Sequence, residues 1–525
     1  MIVFGRPGWA LAATLLLSCK AEPSSAPPTV ESVIAAAGGS NPRETRAVLL
    51  GTVACVSVRR CADLITTLAG KPMPKMPDIL LEARLELLLA EVDGQTLAGV
   101  RLSGADGSEL RAELEKLEVV VGSTWVVESE VETSPDSVVV SSSAVVAKTF
   151  AATPPAPFDT RPDATLVAHV DSSKLGRAQR ERLVSDARAA GDAAEASELS
   201  TQSFRQVMRS EQWISYLESN ASIDASLRHA GTTLSFDATI TPESGSPLQL
   251  DYQRASEATS RSASIVPYAS AFSGSLVLPI PLDDLERSEA QGFLQEVRQI
   301  LPIAIAQAPA AYRPVLIEDG AALVDALDDD FAHSSHIDVD LAANLVVDDA
   351  ATLSAAVTGF AKSGYPQVVR LTDALARAFP QPGVTVLEPP VRDYDVALFD
   401  LDLAAILPPV APYFGKHPRA ALGASHEMLW FTLGTDPLAA MDRLHKRAKD
   451  TNAKTSDASL RLHFNLIEAM SADPNANVEA FDGSLIVDLQ SKNHPTHNAT
   501  TGTLSISGRD FIRGFFSGIR NSYRR

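Results

Sequence analysis

Residues 393–407 read DYDVALFDLDLAAIL, an apolar run that ends at Asp400-Leu401-Asp402 and continues into Leu403-Ala404-Ala405. The fold turns on what Asp402 begins. It is either a strand delivering two carboxylates to a site, or a strand running straight into a helix. In the second case Asp400 or Asp402 is a cap. A side-chain oxygen there accepts from a backbone N–H that has no intrahelical partner, and a carboxylate also suits the positive end of the helix.

The same phrase recurs. A strand-like run stops at a small polar or acidic residue, and a helical pattern starts at once, in VAHVDSSKL (167–175), VLPIPLDDL (277–285), NLVVDDAATL (344–353) and WFTLGTDPLAAM (430–441). GVRLSGADGSELRAEL (99–114) is a looser copy, and Pro437 after Asp436 suits a first helical turn. The copies are irregularly spaced, which excludes a tight solenoid. They predict an α+β fold, with antiparallel sheets and helices packed on one face, in two or three related units.

Moving outward, NPRETRAVLLGTVACVSVRRCADLITTLAGKP (41–72) fits one or two helices after the Asn41-Pro42 start signal. ILLEARLELLLAEVDGQTLAGVRL (79–102) reads as a hairpin turning at Asp93-Gly94, with a helix as the alternative. EVVVGSTWVVESEVE (118–132) and DSVVVSSSAVVAK (136–148) read as strands, and GSELRAELEKL (107–117) as a short helix. Long helices are expected near 174–190 and 203–219, an antiparallel pair across TTLSFDATITPESGSPLQLDYQ (232–253), and a proline-broken edge strand at SGSLVLPIP (273–281). HIDVDLAANLVV (336–347) reads as a strand and DDAATLSAAVTGFAK (348–362) as a helix.

Proline-rich stretches suggest the boundaries. TFAATPPAPFDTRP (149–162) and FPQPGVTVLEPPVRD (379–393) divide the body into 41–150, 163–380 and 391–525. The chain has 525 residues, 45% hydrophobic but only 6% aromatic, so its cores rest on Leu, Val, Ile and Ala. A formal charge of −20 makes nucleic acid an unsuitable partner.

The first residues are an address. In MIVFGRPGWALAATLLLSCK, Arg6 precedes an apolar run from Trp9 to Leu17 that is too short to span a bilayer. Leu16-Leu17-Ser18-Cys19 resembles the lipobox of bacterial lipoproteins processed by signal peptidase II. That resemblance covers the first 19 residues. It implies cleavage before Cys19, lipidation of Cys19, and a cell-envelope protein anchored in the membrane, with Lys20 favouring the outer membrane. Residues 1–18 are then the signal peptide and 19–40 a Pro/Ser/Ala-rich flexible tether. An exported chain meets an oxidising compartment, so Cys55 and Cys61 are a disulfide candidate. The body, over roughly residues 80–520, is similar in texture to uncharacterised bacterial envelope lipoproteins with domains of unknown function.

Asp400 and Asp402 also resemble the first motif of haloacid-dehalogenase-like phosphatases, which would make Asp400 a nucleophile and Asp402 an acid/base. Leu403 and Ala404 depart from that family's small residue followed by Thr or Val, and no acidic pair for its metal follows. The cap reading is therefore preferred. SHEMLW (425–430) has Trp430 where a zinc protease needs its second His. His333/His336 and His494/His497 lie in polar, loop-like segments without a placed acidic or Cys partner, and DALDDDF (325–331) lacks the Gly of a calcium loop. GRDFIRGFFSGIRNSYRR (508–525) is a basic amphipathic helix that either docks on the body or lies on a membrane. No catalytic residue, metal ligand or cofactor is assigned. The expectation is a non-enzymatic envelope lipoprotein that binds or scaffolds, with another envelope protein as partner. The alternatives are an exported hydrolase with an unrecognised site and a carrier of lipid or another hydrophobic ligand.

Overall fold

The computed structural model describes residues 48–507, apart from 70–75, 93–94, 122–129, 142, 154–162, 176, 196–213, 283, 335, 349–350, 409–410, 415–417, 426, 451–455, 457 and 472–482. Cys19, the tether and the C-terminal 508–525 lie outside the described residues. The fold is α+β, and every strand pairing with a defined register is antiparallel. The chain divides into two compact units, with the main division in sequence between Leu250 and Asp251 and with Thr496–Ala499 grouped with the first unit.

The first unit starts with β1 (Val48–Cys55), α1 (Val58–Ala69) and α2 (Asp78–Glu82). The hairpin β2 (Arg84–Val92) and β3 (Gln95–Ser103) follows, then α3 (Gly107–Val121). A second hairpin, β4 (Glu130–Ser134) and β5 (Ser137–Ser141), leads to α4 (Ala144–Ala152). Next come β6 (Leu166–Asp171), α5 (Arg177–Glu195), the hairpin β7 (Ser222–Ala230) and β8 (Thr233–Thr241), and α6 (Pro247–Glu257), within which the division falls. The sheet order is β4-β5-β3-β2-β1-β6-β7-β8. The proline-rich stretch at 149–162 therefore lies inside this unit, because β1 pairs with β6 across it.

The second unit contains α7 (Ser262–Ile265), β9 (Phe272–Pro281), the long helices α8 (Asp284–Ile305) and α9 (Arg313–His333), and the hairpin β10 (His336–Val347) and β11 (Ala351–Thr358). Then come α10 (Tyr365–Ala378), β12 (Val384–Leu387), β13 (Asp395–Leu401), α11 (Leu403–Ile406), the hairpin β14 (Arg419–Ala424) and β15 (Leu429–Gly434), and α12 (Pro437–Lys449). β16 (Leu460–Asn465), α13 (Leu466–Met470), β17 (Ser484–His494) and β18 (His497–Ser507) close the described chain. The order is β12-β13-β14-β15-β11-β10-β9-β16-β17.

One module generates most of this. A lone strand is followed by helix, and the chain returns as a hairpin whose first strand pairs with the lone strand. The lone strands β1, β6, β9, β13 and β16 pair in this way with β2, β7, β10, β14 and β17. Modules join through their lone strands, β1 with β6 in the first unit and β9 with β16 in the second. They also join through hairpin strands, β11 with β15. Gly51 permits the first of these joins, since a Cβ there would come within 2.6 Å of the His169 carbonyl.

The recurring phrase marks the module's two helix starts. After the lone strands, Ser57 Oγ accepts from Arg60 N, Asp171 Oδ1 from Ser173 N, Asp402 Oδ1 from Ala405 N and Asn465 Oδ1 from Glu468 N. After the hairpins, Asp106, Ser246 and Asp436 cap α3, α6 and α12.

Several sequence expectations are corrected. Residues 48–55 form strand β1, not helix: Leu50, Val53 and Ala54 are all buried in a strand with neighbours on both edges, so no helical or alternating period shows. NLVVDDAATL turns a hairpin instead of starting a helix, because β11 is a central strand between β10 and β15. Ala144–Ala152 is helical, with Ser143 as its cap and Val146, Ala147 and Phe150 as its buried stripe. Glu118–Val121 ends α3, and Pro247–Glu257 is helix α6, leaving β7 as the true partner of β8. Pro279 and Pro281 do lie where β9 has a free edge, since β16 covers only Phe272–Leu276.

Helices also cover both faces of the sheet where one was expected. Ala397 and Phe399 of β13 pack toward Tyr365 and Val369 of α10. The alternate residue Leu398 packs with Trp430 against Met441 and Leu444 of α12. That double burial is why VALF (396–399) reads as an unbroken apolar run. In the first unit Val138 and Val139 likewise enter separate cores, one with Leu110 of α3 and one with Phe150 of α4.

Candidate functional site

Titratable and aromatic groups gather between the start of β13, β15 and α12. Tyr394 enters just before β13, Trp430 comes from β15, and His445 and Lys449 sit one turn apart on α12. The Tyr394 ring meets His445 at 4.5 Å and Trp430 edge-on at 5.7 Å, while Trp430 and His445 are 5.3 Å apart. Asp442 accepts from the Tyr394 hydroxyl at 2.7 Å and from Arg392 Nε at 3.0 Å. Burial, and then the Asp442 carboxylate, push the Tyr394 phenol above its usual range, so it stays a donor.

Asp393 closes the outer side. It bonds Lys449 and lies 3.2 Å from His445 Nε2. Lys449 first and His445 second hold its carboxyl down at about 2. The His445 approach is off the line of a good hydrogen bond and is a close electrostatic contact. Trp430 Nε1 and His445 Nδ1 are buried with no hydrogen-bond partner among the described residues. An oriented imidazole beside an ionised carboxylate can take or hand on a proton. Here it also has unspent polar capacity.

A second constellation follows the module. His169 of β6 faces Asp224 of β7, and His463 of β16 faces Asp488 of β17. Each His stands two residues before its module's cap, Asp171 or Asn465. The Nδ1–Oδ1 distances are 2.8 and 2.6 Å. The surroundings differ. The His169 side chain is 53% exposed, whereas that of His463 is 14% exposed. His463 Nε2 also reaches the Ser270 carbonyl at 2.8 Å, beneath the Tyr268 ring. His463 is thus a tie between β16, β17 and the Ser270 loop.

The residues singled out by sequence fall elsewhere. Asp402 is the α11 cap, and Asp400 stands opposite Arg419 across β13 and β14. His426 lies outside the described residues, and Trp430 is on a strand, not a zinc helix. His333 ends α9 against Asp329, His336 begins β10 near Asp338, and His494 and His497 flank the β17–β18 turn. No cluster of three metal-ligating side chains occurs among the described residues. Asp325 and Asp328 hold Arg298, and Asp330 accepts from Ala361 N. Cys55 and Cys61 are disulfide-bonded, with Cα atoms 6.0 Å apart, linking the end of β1 to α1. Compared with protein-family models, curated proteins and solved structures, the chain matches none.

Proposed function

We propose that the chain is a membrane-tethered lipoprotein of the bacterial cell envelope, most suitably the outer membrane, whose body binds or scaffolds and does not catalyse. The anchor half rests on Leu16-Leu17-Ser18-Cys19, with Cys19 as the lipidated residue. The observation that supports the non-catalytic half is the fate of Asp400 and Asp402. The acid offered as a general acid is committed to a helix cap, in a slot that other modules fill with Ser57, Asp171 and Asn465. A carboxylate engaged in building the fold's module, as Asp402 is, suits a scaffold, with another envelope protein as its partner.

Labelled palmitate tests the anchor: the wild-type chain takes up label and Cys19→Ala does not. Uptake by both, or by neither, removes the lipoprotein reading. Screening the purified chain against ester, phosphate and glycoside substrates tests the rest. Turnover lost in His445→Gln would replace the scaffold by the hydrolase alternative and place its centre at the Tyr394–His445 cluster.

A further inference from the structure

The helical layer of the second unit ends in an apolar tip. α8 and α9 run antiparallel, with Arg298 bonded to Asp325 and Asp328, and Leu301 against Gly320. Their connection folds tightly, through Ala306 N to the Pro302 carbonyl and Tyr312 N to the Pro309 carbonyl. Ile305, Ala308 and Leu316 face inward onto Ala374 and Ala378 of α10. The outward side carries Phe293, Ile300 and Ile303, which are 64%, 60% and 68% exposed. Their spacing of seven and three residues puts them on one helical stripe.

Composition makes this tip unusual. Ile300–Tyr312 reads ILPIAIAQAPAAY, thirteen residues without a charge in a chain that is 21% charged. A solvent-facing helix end of this length normally carries charges, and a contiguous exposed apolar patch marks a contact with something apolar. The nearby cations are already engaged. Arg298 holds two aspartates, Arg313 Nε donates to the Ala308 carbonyl, and Arg377 pairs with Asp373 and Glu388. Glu296 stands exposed on that stripe between Phe293 and Ile300, and the tip from Ile300 onward is apolar and uncharged, unsuited to an acidic headgroup or a nucleic acid and suited to the interfacial layer of a bilayer.

We propose that the α8–α9 tip inserts Ile300, Ile303 and Phe293 into the outer layer of a phospholipid membrane, as a second membrane contact beside the lipid anchor. The inference rests on the reading of Cys19 as that anchor. Residues 20–47, between Cys19 and β1, are 28 residues long. They reach at most about 100 Å, so a tethered body stays within range of the bilayer. A surface held at high local concentration needs only weak intrinsic affinity for the tip to engage.

The test uses the full chain with Cys19→Ala. Because Cys55 and Cys61 are bonded, Ile303→Cys then gives a single free thiol for an environment-sensitive fluorophore. With phosphatidylethanolamine–phosphatidylcholine vesicles, emission from position 303 rises and shifts to the blue. The same label at exposed Ser288, four turns up α8, stays as in water. Adding phosphatidylglycerol does not strengthen the response. Phe293→Asp/Ile300→Asp/Ile303→Asp lowers vesicle binding by roughly tenfold or more, with an unchanged melting temperature. A label at 303 that ignores vesicles overturns the proposal, even where wild-type Cys19 takes up palmitate and the anchor stands. A label already blue-shifted before vesicles are added overturns it too, because the chain itself or a second copy then covers the tip. A vesicle response without palmitate uptake sustains the tip contact and removes the anchor alone.

Discussion

Glu86 and Asp340 are both almost fully buried carboxylates, each on the middle strand of a module's three, and they are stabilised in opposite ways. Glu86, in the first unit, has a cation. Arg101 stands directly across the β2–β3 hairpin, bonds Glu86, and also reaches the Phe150 and Thr153 carbonyls at the end of α4, at 2.9 and 2.5 Å. Asp340, in the second unit, takes only neutral donors: Ser260 Oγ at 2.6 Å, Arg261 N at 2.7 Å and Ser262 N at 2.8 Å. One carboxylate locks a sheet to a helix C-terminus, where positive charge suits the dipole. The other locks a sheet to a helix N-terminus, where its own charge does. The same residue class serves both ends of a helix, provided the strand supplies the matching partner.

The comparison predicts unequal damage. Arg101→Met strands Glu86 in the core and removes a donor from the Phe150 and Thr153 carbonyls, the first of which keeps Thr153 N, so a loss of about 3–5 kcal/mol is expected. Glu86→Leu/Arg101→Met should recover part of it, the α4 carbonyls accounting for the remainder. Chemical denaturation of the three variants checks this, and full recovery in the double variant would show that the carbonyl bonds contribute nothing. Asp340→Asn keeps one carbonyl oxygen for the two backbone N–H groups but loses charge assistance, for a loss of about 1–2 kcal/mol. If Asp340→Asn proved as costly as Arg101→Met, the distinction between cationic and neutral partners would fail. Exposed caps come next. Asp436→Ala should cost about 1 kcal/mol by unfastening α12, whereas Asp400→Asn, which caps nothing, should stay within about 0.5 kcal/mol.

These differences bear on what the sequence made legible. Caps are local, so VAHVDSSKL, ALFDLDLAAIL and WFTLGTDPLAAM disclosed their helix starts from a few adjacent residues. NLVVDDAATL carries the same letters and turns a hairpin, because Leu353 and Ala356 are wedged between β10 and β15, and nothing local encodes the arrival of β15. VLLGTVAC hid its strand for the same reason. The module remained unseen because it is defined by which strands pair, not by residue identity at a fixed spacing. The Tyr394–Trp430–His445 cluster joins three separate elements, and only the helical spacing of His445 and Lys449 hinted that both could face one carboxylate.

That carboxylate, Asp393, is the exposed counterpart to Glu86 and gives the smallest effect. It too is held by cations, Lys449 foremost and His445 after it, and its carboxyl is lowered to about 2. It differs from Glu86 in lying in water, where screening weakens the attraction. The sign follows from the lowered value. A group whose folded pKa is depressed adds stability above its ordinary range and loses it as pH falls through the folded value. Wild type and Asp393→Asn should therefore differ in melting temperature above about pH 4 and converge as the pH falls toward 2. The difference should shrink in high salt, as it would not for a buried pair. Lys449→Gln should raise the Asp393 titration, followed by carboxyl NMR, more than His445→Gln does. Parallel melting curves across that range, or a larger effect from His445→Gln, would mean that Lys449 does not hold this carboxylate. Partner charge alone, without burial, would then be a weaker constraint in this fold than Arg101 makes it look.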